Sequence, residues 1–349
     1  MEEYLLTQYA HGSGCGCKIA PDKLQEILNS TAAGFTDKNL LVGNEAADDA
    51  AVYRLNDSGD CIISTADFFT PIVDDAYDFG RVASANALSD VYAMGGTPLM
   101  AIAILGWPVE KLPPALAGKV IEGARAVCAE AGIMLAGGHT IDSPEPIFGL
   151  SVTGKVQEPH IKKNNTAEPG NLLFLTKPIG IGILAAAEKR KSLLPEHTGI
   201  ALAEMVKLNR IGEVLGRQEW VTAITDVTGF GLGGHLTEMC GARLSAELNW
   251  NNIPFITDLS HYIKNRILPD ATFRNWNSYG KNIGFEKGVP VMDAFNLLPD
   301  PQTSGGLLVA IKENEQPALQ KLFEENGIPF ISPVGRFCER GEKIITVAL

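Results

Sequence analysis

Between Val156 and Gly170 the chain reads VQEPHIKKNNTAEPG, a polar stretch with two prolines, while apolar and β-branched runs fill the sequence on either side. Domains meet in exposed, polar, proline-bearing connections, so this break divides the chain into two folding units. At 349 residues, each unit is long enough to close a core of its own.

Both units mix strands and helices in an order that does not alternate. AAVYRL (50–55), CIISTADFF (61–69), PLMAIAILGW (98–107), IMLAGGHT (133–140) and IFGLSVTGKV (147–156) read as strands. Helices are predicted over about 79–94, ended by Gly95-Gly96, and within KLPPALAGKVIEGARAVCAEAG. After the break come a strand in NLLFLTKP, helices near 181–190 and 199–215, and a strand in WVTAITDV. GFGLGGHLTEMCG is a glycine-rich turn into a helix, and DPQTSGGLLVAI a turn into a strand. A helix in NEQPALQKLFEENG and two short strands close the chain, whereas 250–297 yields few elements. This order predicts an α+β fold of two α/β lobes rather than one doubly wound sheet. The expected units are a flexible, glycine-rich N-terminal arm over 1–40, a first domain over 41–156 and a second over 157–349. The arm contains one short helix, PDKLQEILNS, with Pro21 in its first turn.

The 41 acidic and 29 basic residues leave a net charge of −12 with no Lys/Arg block, which argues against nucleic acid and anionic membranes as partners. The longest apolar runs are about half a membrane span. MEEYLLTQYA has neither a basic nor an apolar leader pattern, so the expected location is the cytoplasm. Six cysteines make no disulfide scaffold in a chain this long, and Cys61, Cys128, Cys240 and Cys338 stand alone, as small buried hydrophobes do.

Aspartates recur in four comparable settings: Asp48 and Asp49 before an apolar strand, Asp67 in STADFF, Asp90 in a helix, and Asp226 at the end of a strand. On the helix, Ala83, Asn86, Ala87, Asp90 and Met94 share one stripe of small, buriable positions. Any one of these aspartates reads most simply as a cap or turn residue. Gathered carboxylates, however, repel one another unless divalent cations sit between them, and Mg²⁺ takes oxygen ligands together with phosphates and water. AGGHT (136–140), TGFGLGG (228–234) and TSGG (303–306) are candidate loops for backbone contacts to phosphate. No GxxxxGK[ST] occurs, and the protein-kinase signatures are absent. Gly229, Gly231 and Gly234 match GxGxxG, with Glu247 further on, and Gly180, Gly182 and Ala185 match GxGxxA. Both are compatible with a dinucleotide enzyme, although Asp226 would crowd a bare pyrophosphate.

HGSGCGCK remains. Cys15 and Cys17 are too tightly spaced for a structural zinc site, and no second cysteine pair follows. Lys18 beside a glycine-flanked thiol predicts an exposed, reactive thiolate on a moving segment. His11 reads equally as a loop residue or as part of that site.

HGSGCGCKIAP, GNEAADDAAVY, STADFFTPIVDDAYDFGRVASANALSDVYAMGG, LAGGHTID, TDVTGFGLGGHL and DPQTSGGLL, in this order, resemble the selenophosphate synthetases, or selenide, water dikinases. The later motifs are shared with a wider superfamily of aminoimidazole ribonucleotide synthetase, hydrogenase-maturation and thiamine-phosphate kinase proteins. CGCK is similar to the selenium branch alone, some of whose members carry selenocysteine at the position of Cys15. The resemblance implies that ATP, selenide and water give selenophosphate, AMP and orthophosphate, the product serving selenocysteine and selenouridine synthesis. It assigns catalysis to Cys15 and Lys18, ATP contacts to Lys18, Ala46, Ala47, Asp48, Asp67 and Asp90, and Mg²⁺ ligation to Asp49, Asp90 and Asp226. Gly138, His139 and Thr140 are implied to reach the nucleotide across a homodimer interface, and a selenium-delivery protein is a candidate partner. A non-catalytic selenium or metal carrier, a dinucleotide oxidoreductase and a sister ATP-dependent enzyme are the competing expectations.

Overall fold

A computed structural model describes residues 4–19, 23–24, 26–27, 30, 37–43, 48–329 and 331–349. In the first domain, six strands form one sheet: β1 (Leu40–Val42), β2 (Ala51–Arg54), β3 (Asp60–Phe69), β4 (Thr97–Trp107), β5 (Met134–Asp142) and β6 (Ile147–Gln157). Their order is β1-β2-β3-β6-β4-β5, and only β4 and β5 run parallel. Along β3 the period of two sends Cys61, Ile63, Asp67 and Phe69 to a buried face and leaves Phe68 exposed on the other.

Helices α1 (Ala76–Ala93) and α2 (Pro114–Glu130) cover that buried face. Asp75 caps α1 by accepting from the Asp78 N–H at 2.9 Å, and Gly95 follows its end with φ +75°. The two helices cross closely. A Cβ on Gly80 would collide with the Val120 carbonyl, and one on Gly123 with that of Tyr77. Because the second domain closes over its far side, α1 is buried on nearly every face, which its run of Ala, Ser and Asn permits.

The second sheet contains β7 (Leu172–Leu175), β8 (Val221–Asp226), β9 (Leu244–Asn249), β10 (Ile283–Phe285), β11 (Leu307–Ile311), β12 (Gly335–Glu339) and β13 (Ile345–Ala348). Their order is β10-β13-β9-β12-β7-β11-β8, and β8 is an edge strand antiparallel to β11. Helices α3 (Ile181–Lys189), α4 (Gly231–Cys240), α5 (Asp270–Tyr279) and α6 (Gln316–Glu325) accompany this sheet. Among the described residues, parallel strand pairing in this sheet is confined to β10–β13–β9, and beside Gly180 there is only an isolated parallel bridge, Ile179 to Phe255, so neither Gly180 nor Gly229 opens the parallel βαβ unit that a dinucleotide fingerprint requires. Those glycines serve packing: a Cβ on Gly182 would meet the Asp300 carboxylate at 2.5 Å, and one on Gly231 the Leu298 carbonyl at 2.7 Å.

The single helix expected over 199–215 is two, Ile200–Met205 and Ile211–Gly216. Between them the Lys207 carbonyl accepts from Lys177 Nζ at 2.7 Å, and Asn209 turns inward to donate to Ser89 Oγ and the Gly305 carbonyl, each at 2.8 Å. The arm is docked across both domains. Thr7 N–H donates to Asp74 at 3.0 Å, Lys189 Nζ donates to the carbonyls of Ala10 (3.0 Å) and Gly12 (2.9 Å), and Arg274 donates to that of Gly16 (2.5 Å). Pro21 and part of its expected helix lie outside the described residues.

Candidate active site

Asp67 from β3, Asp90 from α1, Asp226 from β8 and the pair Asp48–Asp49 ahead of β2 come together where the domains meet. Hydrogen bonds fix three of them. Asp90 accepts from Thr65 Oγ1 at 2.5 Å, Asp49 from Thr225 Oγ1 at 3.0 Å, and Asp48 from the Asn164 N–H at 3.2 Å. The Asp49–Thr225 bond joins the two domains.

Burial raises the pKa of Asp49 and of Asp90, and the carboxylate of Asp226 raises each further; Asp226 is itself raised by burial. Asp48 is pushed up to about 6, again by burial. Asp48 Oδ2, Asp49 Oδ2 and Asp226 Oδ2 are buried without a hydrogen-bond partner, which is costly unless something else neutralises them. Hard, orphaned oxygens of this kind fit Mg²⁺. Among the described residues, no three acidic, His or Cys side chains already stand close enough to hold an ion. A cation here must therefore take further oxygens from phosphate or water.

The arm closes one side of this cluster. Lys18 Nζ lies 3.7 Å from Asp67 Oδ2, and that carboxylate stabilises its charged form. Cys15, expected as an exposed thiolate, is 0% exposed. Burial, with Asp67 adding to it, pushes its thiol well above the usual range and outweighs the lowering effect of Lys18. The cause is the 3₁₀ turn Gly14–Cys17, which directs residue 15 inward and leaves Cys17 as the exposed thiol. Gly14 makes the turn possible: its φ is +52°, and a Cβ there would collide with Thr303 Oγ1. The Cys15 N–H donates to Thr303 Oγ1 at 3.1 Å, and its sulfur donates to Asn86 Oδ1 at 3.1 Å.

Other expected site residues lie elsewhere. AGGHT is not a loop but part of β5, exposed at the sheet edge. The register runs Asp67↔Leu150, Leu150↔Ala103, Ala103↔Gly138, which puts Gly138 three strands from Asp67, roughly 14 Å at about 4.8 Å per strand. Gly138, His139 and Thr140 are thus not brought to the cluster within one chain. TSGG is buried packing rather than an open phosphate loop, since a Cβ on Gly305 would collide with the Val227 carbonyl. Ala46 and Ala47 lie outside the described residues. The exposed imidazole of His11 pairs with Glu145, and both line a cavity of about 910 Å³ together with Lys18, Lys189 and Arg274. Sequence reasoning missed Thr65, Thr225 and Thr303, which anchor the site, and placed Asn86 only on a stripe.

Two family models match the chain: AIR synthase related protein, N-terminal domain, over 47–156, and the corresponding C-terminal domain over 168–348. Solved structures of the same architecture include thiamine-monophosphate kinase from Stenotrophomonas maltophilia K279a, 18% identical with TM-score 0.63, covering 95% of this chain and 96% of that one. Hydrogenase maturation protein HypE in complex with ATP is 17% identical with TM-score 0.63, covering 98% and 94%. At these identities the likeness is one of fold, and the class is that of AIR synthase related proteins. Nearer relatives are the selenide, water dikinases of Photorhabdus laumondii subsp. laumondii, 52% identical over 97% of this chain and 96% of its own length, and of Colwellia psychrerythraea, 54% identical over 96% of each. That of Photobacterium profundum is 56% identical over 89% of each. The chain belongs to the selenide, water dikinase family of enzymes.

Proposed function

We propose that this chain uses ATP, selenide and water to make selenophosphate, AMP and orthophosphate at the junction between the domains. One observation carries the reading: the unpartnered, buried oxygens of Asp48, Asp49 and Asp226 lie beneath an arm that brings Lys18 to Asp67 and Cys15 to Asn86. Asp49, Asp90 and Asp226 would hold Mg²⁺, which when bound supplies positive charge against a triphosphate. Asp67, Asp90, Asp48, Ala46 and Ala47 border the nucleotide. Lys18, held charged by Asp67, donates to phosphate oxygen. The docked arm excludes bulk water, so that Cys15 and selenide meet the terminal phosphate first. As a buried thiol Cys15 is a poor nucleophile, so it orients the reactants until a proton leaves it.

The reading extends to a cytoplasmic homodimer in which Gly138, His139 and Thr140 of one copy serve the other's nucleotide. A selenium-delivery protein would meet the arm from outside. No described helix is long and apolar enough to cross a membrane. Anaerobic incubation with ATP, Mg²⁺ and selenide, followed by phosphorus NMR, tests the reaction. A selenium-coupled phosphorus signal appearing with AMP and orthophosphate is expected, whereas selenide-independent accumulation of ADP would overturn the reading. In the same assay Cys15→Ser should reduce turnover at least about a hundredfold, the scale expected for loss of an essential group.

A further inference from the structure

Asn86 is fully buried in α1 and makes three hydrogen bonds, each to a different part of the molecule. Its Oδ1 accepts from the Ser304 N–H at 2.8 Å and from Cys15 Sγ at 3.1 Å, while its Nδ2 donates to Asp67 Oδ2 at 2.5 Å. The orientation of the amide is unambiguous, because a backbone N–H only donates and a carboxylate only accepts. With Oδ1 fixed as an acceptor, the sulfur must be the donor, so the contact requires the thiol form of Cys15. Ser304 is one of the few non-glycine residues with positive φ, at +50°, and its hydroxyl is buried without a partner. Strain of this kind persists where the surrounding structure imposes it. Here it aims the Ser304 N–H at Asn86.

We infer that Asn86 is a positioning residue that ties the Cys15 thiol to the Asp67 carboxylate, so that nucleotide bound at Asp67 changes how the arm holds Cys15. The inference rests on the roles proposed above for Cys15 and Asp67. Coupling of this kind is reciprocal and needs a shared element that both sites bias. Asn86 is such an element, because Asp67, the arm and the TSGG segment of the second domain each use one of its bonds.

Cys17, exposed and two residues away, supplies an internal reference. The full-length protein is treated with iodoacetamide, and fragment-ion mass spectrometry reads the labelling of Cys15 and Cys17 separately, with and without Mg²⁺ and ATP. In the unsubstituted protein Cys15 should label at least tenfold more slowly than Cys17, and nucleotide should shift that ratio. Asn86→Ala should raise the Cys15 to Cys17 ratio about tenfold and abolish its response to nucleotide. The KM for ATP should stay within about threefold while kcat falls tenfold or more. An unmoved ratio, or a response of equal size in the variant, overturns the inference. Should the alanine variant not fold, Asn86→Ser, one bond shorter and still polar, is read in the same way. A protein that labels as expected but makes no selenophosphate refutes the functional reading alone; one that makes it with an unmoved ratio refutes the coupling alone.

Discussion

The carboxylates of Asp48, Asp49, Asp90 and Asp226 are raised chiefly because folding removes them from water. Their folded pKa values stand above the unfolded value of about 3.9, so the folded state binds the extra protons. The stability they contribute is complete below about pH 4 and is lost as pH rises through the folded values, about 6 for Asp48. Without divalent ions the melting temperature should therefore fall between about pH 4 and 6, below the value of about 7 to which burial lowers Lys177. Millimolar Mg²⁺ with nucleotide should flatten that fall, and a metal-free protein equally stable across the window would remove the argument. Asp226→Asn deletes one repelling charge and one proposed ligand. It should raise the metal-free melting temperature by about 1–2 °C, the shift for about 1 kcal/mol in a chain of this size, and weaken Mg²⁺-dependent nucleotide binding in calorimetry at least about tenfold. The aspartate cluster was legible because carboxylates at strand ends recur in the sequence. The burial of Cys15 was not, since glycine neighbours suggest exposure while Thr303 and Asn86, which enclose it, lie far away in the chain.

Helix α1 carries Asn86 and Asp90 and touches both sheets, so its seat against α2 sets the geometry of the site. That seat depends on two glycines without side chains at the crossing, and backbone carbonyls cannot yield to a methyl group unless the helices separate. Gly123→Ala should thus destabilise the fold by about 1–3 kcal/mol, the usual scale of overpacking, visible as a lower midpoint in urea. An unchanged midpoint would mean that the helices slide freely. Helix α1 was readable because its stripe of small residues has helical spacing and ends at Gly95-Gly96. The break between Ile200–Met205 and Ile211–Gly216 was not, because Lys177, thirty residues earlier, takes the carbonyl that would continue the helix. The 250–297 segment resisted reading for a similar reason: Asn275 of α5 is held by the carbonyls of Gly229 and Pro299, at 2.8 and 2.9 Å.

Among the described residues, helices cover one face of the first sheet and none covers the other. Phe68 of β3, Met100 and Ile102 of β4 and Met134 of β5 stand exposed there, Met134 at 74% and Ile102 at 45%. No such stripe was visible in the sequence, because its members come from three strands and become neighbours only once β6 is inserted between β3 and β4. Contiguous exposed apolar faces are characteristic of interaction surfaces. Adjoining this face, β5 is an edge strand, paired on one side with β4 and with no second strand among the described residues; it carries Gly138, which a single chain leaves about 14 Å from Asp67, with His139 and Thr140. A second copy packed on this face is the partner that would deliver them. In a twofold interface each substitution counts twice, so Ile102→Asp removes at least about 1.5 kcal/mol of apolar burial per copy, or roughly 3 kcal/mol and a hundredfold in dimer affinity. Sedimentation velocity at micromolar chain should show a dimer for the unsubstituted protein and a monomer for the variant, with the KM for ATP raised at least about tenfold. A monomeric variant with an unaltered KM would confine the nucleotide site to one chain.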